Sequence, residues 1–495
     1  MSCLLAITHA AAIACGGAAD RATAPTSVPG LRLASGTNAR DTVDAVVATP
    51  LVAELHDSAG RAIVNAPLLF SVRGGGAFLR ADPARAGSTS LVVATDTDGR
   101  ARAWLQLGGT ARDVTFDVLD GARNWRDSTI ATVLPGNPTK LRLDPQDTAL
   151  LVGKAVSYRS MLLDRHSNAT SGTATLSTSG IFVSVASSGN VVGVAIGRAA
   201  VVARSGAFVD SAHVSVVPAG LLAAYAVQYG VAGQPGGIYV FNTDGSSAHW
   251  AYRATISFNE PIGFGFWPAL SPDGGTVAFI ENSKVRIVSA SGGTPRDLAI
   301  SATSQYGPQF SADGQWIYFT RGSFGNQNTF WRIRLDGSGL AQVSEQRSWG
   351  IEAMASPSPT DDRVAYQTND VTNSSVGFTI RTISPSTGVI RKADVPGSSP
   401  RWAPAGDRIA YLGVDGQLAL MAPDGAKLGK LGSGLTVEPG FSWSPTGDWM
   451  LVVDPNFGYS PNLLLVESAT GRAIPLPFKG PDGQILYQGT WGGRP

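Results

Sequence analysis

A chain of 495 residues that is 43% hydrophobic and 15% charged, with a formal net charge of +1, is too apolar and too neutral to be disordered. The same balance lacks the basic face of a dedicated nucleic-acid binder. Its 59 glycines and 30 prolines make it rich in turns, and no run past the N-terminus has the length and apolarity of a membrane span. At about 150 residues per domain the length suggests about three domains. Cysteine occurs at Cys3 and Cys15 only, so no disulfide and no cysteine zinc site can form in the body of the chain.

The opening Met1-Ser-Cys-Leu-Leu-Ala-Ile-Thr-His-Ala-Ala-Ala-Ile-Ala-Cys15 is a short apolar run ending in small residues, like the core of a secretory signal. Ala12-Ile13-Ala14-Cys15-Gly16 resembles a bacterial lipobox. That resemblance implies cleavage before Cys15, lipidation of its thiol and a membrane anchor made of acyl chains. Ala12 replaces the usual leucine and no Lys or Arg precedes the run, so an ordinary export signal stays open as the alternative. Gly16 stands where an inner-membrane retention signal has Asp. The resemblance therefore implies an exported lipoprotein of the outer membrane, facing the periplasm or the cell surface. Residues 1–15 are read as the leader and 16–28 as a flexible tether.

From 29 to 217 short β-branched runs are broken by Gly, Asp and Asn, the pattern of a β-sandwich. Leu51-Val-Ala-Glu-Leu-His-Asp57-Ser-Ala-Gly60 and Ala94-Thr-Asp96-Thr-Asp98-Gly99 carry the first such module, 29–135. Asp96 and Asp98 are read as turn residues rather than calcium ligands, because the full loop spacing is absent. This module resembles the invasin/intimin-type (group 1) bacterial Ig-like domain. After Leu134-Pro-Gly-Asn-Pro138, the stretch 138–217 carries Leu151-Val-Gly153, Gly189-Asn-Val-Val-Gly193 and Gly197-Arg-Ala-Ala-Val-Val-Ala203. It resembles a group 2 bacterial Ig-like domain. Both resemblances imply spacer or adhesive modules without catalysis.

The second half is a repeat. Leu270-Ser-Pro-Asp-Gly274, Phe310-Ser-Ala-Asp-Gly314, Pro357-Ser-Pro-Thr-Asp361, Trp402-Ala-Pro-Ala-Gly406 and Trp443-Ser-Pro-Thr-Gly447 each precede an apolar strand. Their second positions are 40, 47, 45 and 41 residues apart, the period of four-stranded propeller blades. A sixth copy at Ala223-Ala-Tyr-Ala-Val and Ile238-Tyr-Val-Phe lacks the opening phrase, which Leu486-Tyr-Gln-Gly-Thr-Trp491 supplies from the C-terminus. Residues 219–495 closely resemble TolB-like (WD40-like) propeller repeats. The expected fold is thus all-β: two Ig-like β-sandwiches followed by a six-bladed β-propeller closed by the C-terminal strand. Ig-like modules replace the α/β domain that the family's Tol-system member carries, so its pathway role does not transfer.

Signatures of chemistry are sparse. The five histidines have no metal spacing, no nucleophile elbow or phosphate loop occurs, and no cofactor or metal is expected. Asp273, Asp313, Asp361 and Asp424 fall on repeat turns, and the recurring tryptophans suit packing between blades. His249 is expected in an outer strand in a solvated or packing role. The anchors Leu270, Phe310, Pro357, Trp402, Trp443 and Trp491 are bulky and apolar, whereas Ala269, Gln309, Ser356, Arg401, Ser442 and Thr490 before them are small or polar. That split predicts a wet channel lined by Gln309, Ser356, Arg401, Ser442 and Thr490. Arg401, with Gln309, would hold a carboxylate or phosphate there, or else pair with an acid. The expected function is non-catalytic binding of an envelope protein or small ligand, with no nucleic-acid partner. Two alternatives stay open, a glycan-binding adhesin and a propeller lyase or hydrolase that uses channel carboxylates.

Overall fold

The computed structural model describes residues 29–74, 76–186, 188–227, 235–255, 266–298, 305–322, 328–344, 351–369, 377–432, 435–454 and 462–492. Cys15 and the tether lie outside the described residues. The chain is all-β: the only helical segment among the described residues is a 3-10 turn at Pro481–Gly483. No helix among them is long and apolar enough to cross a membrane. The described residues form two compact units, 29–142 with 161–173, and 143–160 with 174–492. The border expected between 217 and 219 therefore falls inside the second unit.

In the first unit, Gly30–Ser35, Leu51–His56, Arg100–Gln106 and Phe78–Arg80 make one sheet. Arg40–Thr42, Trp125–Leu134, Asp113–Asp120, Pro67–Arg73 and Ser90–Ala94 make a second. Their alternate residues meet in one core around Leu51, Leu55, Phe70, Leu105 and Phe116. Asp96 accepts hydrogen bonds from the Asp98 and Arg100 amides, each at 2.9 Å, so it caps a turn as read from the sequence. Asp164 accepts from the amides of Gly136, His166 and Asn168 at 2.9, 2.8 and 3.0 Å. Burial alone would raise its pKa. The donors, led by the Asn168 side chain, outweigh burial and hold the carboxyl at about 2.

The second unit starts with a sheet of Thr148–Leu151, Phe208–Val217, Gly197–Ser205 and Thr175–Ser179. A smaller sheet holds Ala155–Ser157, Asn190–Gly193 and Val183–Val185. Six four-stranded antiparallel sheets follow. Sheet 1 contains Ile485–Gly492, Leu221–Val227, Pro235–Asn242 and His249–Thr255. Sheet 2 contains Phe266–Leu270, Thr276–Glu281, Lys284–Ser289 and Arg296–Asp297. Sheet 3 contains Gln305–Phe310, Trp316–Arg321, Thr329–Arg334 and Ala341–Gln342. Sheet 4 contains Ile351–Pro357, Val364–Asn369, Thr379–Ser384 and Val389–Pro396. Sheet 5 contains Ser398–Trp402, Ile409–Leu412, Leu418–Met421 and Lys427–Lys430. Sheet 6 contains Ser442–Trp443, Trp449–Asp454, Asn462–Glu467 and Ala473–Pro475.

Local turn chemistry explains the repeated phrase. In sheet 2 the Gly274 amide donates to Ser271 O at 2.8 Å, and Ser271 Oγ accepts the Thr276 amide at 2.9 Å. Asp273 accepts the Gly275 amide at 3.0 Å, and Gly274 takes φ +73°, a conformation that glycine adopts without steric cost. The C-terminal strand pairs antiparallel with Leu221–Val227, setting Trp491 opposite Leu222 and Leu486 opposite Ala226.

Packing between the sheets is cyclic. Sheets 1 and 2 share a core around Tyr225 and Phe279, sheets 2 and 3 one around Ile280 and Phe319, and sheets 3 and 4 one around Phe330 and Tyr366. Ala365 and Tyr411 join sheets 4 and 5, and Leu412 and Val452 join sheets 5 and 6. Leu451 and Leu222 join sheet 6 back to sheet 1. This last core also takes in Val217, Leu151 and Ile196, and Arg472 donates to Ile196 O at 2.9 Å.

Candidate functional site

The strand that opens the repeat is the innermost in every sheet. Successive inner strands touch around the cycle, Ile485–Gly492 to Phe266–Leu270, then to Gln305–Phe310, to Ile351–Pro357 and to Ser398–Trp402. Ser442–Trp443 touches Ile485–Gly492 in turn. Side chains of a strand alternate between its two faces, and here a neighbouring sheet covers each face. Leu270, Phe310, Trp402, Trp443 and Trp491 turn toward the preceding sheet. Trp402 lies opposite Ile409 in the core shared with sheet 4, Trp443 opposite Met450 in the core shared with sheet 5, and Trp491 opposite Leu222 in the core shared with sheet 6. The tryptophans therefore pack between sheets, as expected.

The residues before the anchors turn toward the following sheet instead. Ala269 packs in the core of sheets 2 and 3, and Gln309 lies opposite Tyr318 of the core of sheets 3 and 4. Ser356 Oγ accepts the Trp402 amide of sheet 5 at 3.0 Å, and Ser442 Oγ accepts the Trp491 amide of sheet 1 at 2.7 Å. Ser356, Arg401 and Thr490 are 5%, 6% and 9% exposed, and Gln309 and Ser442 are half-buried. Ser356, Arg401 and Thr490 of the expected wet row are thus buried where sheets meet, because the period of two sorts residues by sheet face, while Gln309 and Ser442 keep partial exposure. Gln309 and Arg401 enter different layers, so the structure does not bring them together.

What interrupts the two rows is a bulge that sequence reasoning missed. In sheets 2, 3, 4 and 5 the inner strand carries one extra residue between the positions five and two before the phrase's Ser or Ala, and sheet 1 carries it in its C-terminal strand. Three residues before each anchor, φ is positive: Trp267 +31°, Gly307 +62°, Met354 +54°, Ser399 +53°, Gly440 +112° and Gln488 +50°. Five of these six positions come close to another member. Gln488 Oε1 accepts the Trp267 amide at 3.3 Å, a Cβ on Gly307 would stand 3.5 Å from Met354 Sδ, and one on Gly440 would stand 3.7 Å from Gln488. Pro268, Pro308 and Pro400 follow the left-handed residue in three copies. Proline inside a strand marks a bulge or an edge, so this was the available signal.

Arg401 stands apart within its row. Nη1 donates to Pro400 O at 2.9 Å, and Cζ lies 6.0 Å from the centre of the Phe441 ring. No carboxylate pairs with it among the described residues, so the expected acid partner is not found there. Burial pulls its pKa down to about 10, which leaves it protonated at neutral pH. His249 begins the outermost strand of sheet 1, where its ring nitrogens meet Ser247 O at 2.7 Å and Ala290 O at 2.8 Å. Asp273, Asp313, Asp361 and Asp424 all cap turns through amide donors.

No family model matches the chain. An uncharacterized protein of Agrobacterium fabrum is 28% identical over 161 residues, 30% of this chain and 54% of that protein. The chain thus spans about half the length of the curated relative it matches. Among solved structures, oligogalacturonate lyase from Vibrio parahaemolyticus is similar at 12% identity and a TM-score of 0.30, over 43% of this chain and 64% of that one. A nidogen/laminin complex gives 13% identity and a TM-score of 0.41, over 56% and 98%. TolB from Acinetobacter baumannii gives 16% identity and a TM-score of 0.42, over 56% of this chain and 67% of that one.

Proposed function

We propose that the chain is an exported binding protein in which a closed six-bladed β-propeller, carried on two Ig-like sandwiches, holds a protein or small ligand at its axis without catalysis. Cys15 is the lipid anchor to the outer membrane in this reading. The Ig-like modules extend the propeller from that anchor.

The left-handed ring carries the reading. Four of its members, Trp267, Met354, Ser399 and Gln488, are not glycine. A non-glycine residue held in that region costs about 1–3 kcal/mol and persists where the surroundings fix it, which happens most at ligand sites. Bulges are over-represented beside binding sites, where they re-aim side chains.

The test is isolation of the tagged chain from envelope extract, with bound proteins and small molecules identified by mass spectrometry and confirmed by reciprocal capture. The binder should be lost from a Trp267→Ala/Met354→Ala variant that keeps its circular dichroism spectrum. Recovery of the bare chain, or a binder indifferent to the ring, refutes the reading. The anchor is tested separately. Cys15→Ser should move the protein from the membrane to the soluble fraction, and unchanged membrane retention refutes lipidation at Cys15.

A further inference from the structure

The fold spends one buried charge that its own packing does not require. The seat before the anchor is filled by Ala269, Gln309, Ser356, Ser442 and Thr490 in the other sheets, all of them uncharged. Ser356 and Ser442 in that seat fasten the next sheet through the amide of a tryptophan anchor. Sheet 5 needs no such hydroxyl from Arg401, because the Trp443 indole donates to Arg401 O at 3.0 Å instead. The backbone makes the contact, and the arginine side chain is left over.

Its surroundings are apolar. Opposite it on the neighbouring strand lies Ala410, and the layer it enters contains Leu412, Phe441, Trp443 and Val452. A guanidinium has five N–H donors, and among the described residues one is used, by the carbonyl of the adjacent Pro400. Two other partly buried cations in the same unit have carboxylate partners, Arg286 with Glu281 and Asp297 and Arg381 with Asp394, while Arg332 lies over the Trp316 ring. Taking a charge out of water without a counter-charge is costly, and apolar replacement at such sites is often stabilising. Retaining the arginine makes sense where a ligand brings the counter-charge.

We infer that Arg401 anchors a carboxylate group entering from the axis against Phe441. One guanidinium with no second cation beside it among the described residues balances a monoanion, whereas a phosphate dianion would leave charge unmatched in an apolar layer. Its fork donates two parallel hydrogen bonds to a carboxylate, and removal from water strengthens them. The carboxylate belongs to a small free acid or to the C-terminus of a peptide. This assignment rests on the binding reading above and names the chemistry of its ligand.

The experiment uses the full chain in detergent, titrated calorimetrically with propionate, trialanine, trialanine amide and inorganic phosphate. A carboxylate probe should bind, and Arg401→Met should weaken it by at least about thirtyfold. Ligand-free Arg401→Met should also melt above the parent, which an arginine needed for packing would not allow. If Arg401→Met fails to fold, Arg401→Lys keeps the charge without the fork and should bind the carboxylate at least about fivefold more weakly. Propionate equal to trialanine identifies a free acid, and trialanine binding without amide binding identifies a peptide terminus. Either supports the anchor. Phosphate binding tighter than every carboxylate, equal affinity in parent and variant, a lower melting temperature in Arg401→Met, or no binding up to about 10 mM would overturn it. A ring-dependent binder captured from the envelope, with no carboxylate bound, removes the anchor and leaves the binding reading. Absence of any binder removes both.

Discussion

Deleting residues 485–495 should open the cycle of sheets. The strand Ile485–Gly492 is the inner strand of sheet 1, and through it Leu486 and Trp491 reach the core shared by sheets 6 and 1. A buried tryptophan covers about 150–250 Å2, which at about 25 cal/mol per Å2 contributes about 4–6 kcal/mol. Leu486 adds about 2 kcal/mol. The deletion also uncovers Leu222, Ala224 and Ala226, all of which lie in that core. Apolar burial alone thus loses about 7 kcal/mol, against a typical stability of about 5–15 kcal/mol. Leu221–Val227 would become a free edge beside an exposed apolar face, a template for association. Thermal melting followed by circular dichroism, with size-exclusion chromatography, checks both consequences: the melting temperature should fall by more than about 10 °C, and the truncated chain should associate. Trp491→Ala alone should cost about 3–5 kcal/mol. A truncated chain that melts with the parent and stays monomeric would show that this strand does not hold the cycle together.

Ser356→Ala and Ser442→Ala each orphan a tryptophan amide in an inter-sheet layer and should each cost about 1–3 kcal/mol in urea unfolding. Their effects should add, because they fasten different pairs of sheets. Gly307→Ala should cost about 1–2 kcal/mol although its Cβ would meet nothing nearer than 3.5 Å, because φ there is +62°; a neutral result in the same assay would deny the left-handed ring. Asp164 has a folded pKa of about 2, below its ordinary 3.8, so its contribution is present above that ordinary value and fades as pH falls through the folded one. Acid titration of Asp164→Asn should therefore show a flatter stability profile between those values, and a profile parallel to the parent's would count against the carboxylate's role.

The repeat was legible because its chemistry is local. Ser271 and Asp273 accept the amides of Gly274, Gly275 and Thr276 within six residues, so the phrase carries its own turn wherever it stands. The C-terminal pairing was legible by subtraction: the first copy lacked an opening phrase, and Leu486 to Trp491 supplied one at the far end. The packing of the residues before 218 against sheet 6 was not legible in the same way. Val217, Leu151 and Ile196 read as ordinary sandwich residues, and nothing in their own sequence says that Trp449 and Leu451 lie against them. Such a contact is set by the surface the neighbour offers, which periodicity does not encode.

The candidate site shows where a period of two stops being informative. Alternation separated the anchors from the residues before them correctly, and Trp402 and Arg401 do face opposite ways. It could not say what covers each face. A row of small and polar residues suits water, and it suits equally a close contact sealed by hydroxyls, as Ser356 and Ser442 demonstrate. The axis is reached instead at the bulge, where alternation fails. Pro268, Pro308 and Pro400 announced that failure, while Met354 and Gln488 adopt the same backbone conformation with no such mark. Arg401 was visible from the start as the one charge in its row, and the structure changes its meaning rather than its importance. In a wet channel, an arginine would be one solvated cation among water molecules, needing no partner. In a layer lined by Phe441 and Leu412 the same side chain is a charge without a counter-charge among the described residues, and that need for a partner is what distinguishes a ligand anchor from a solvated lining residue.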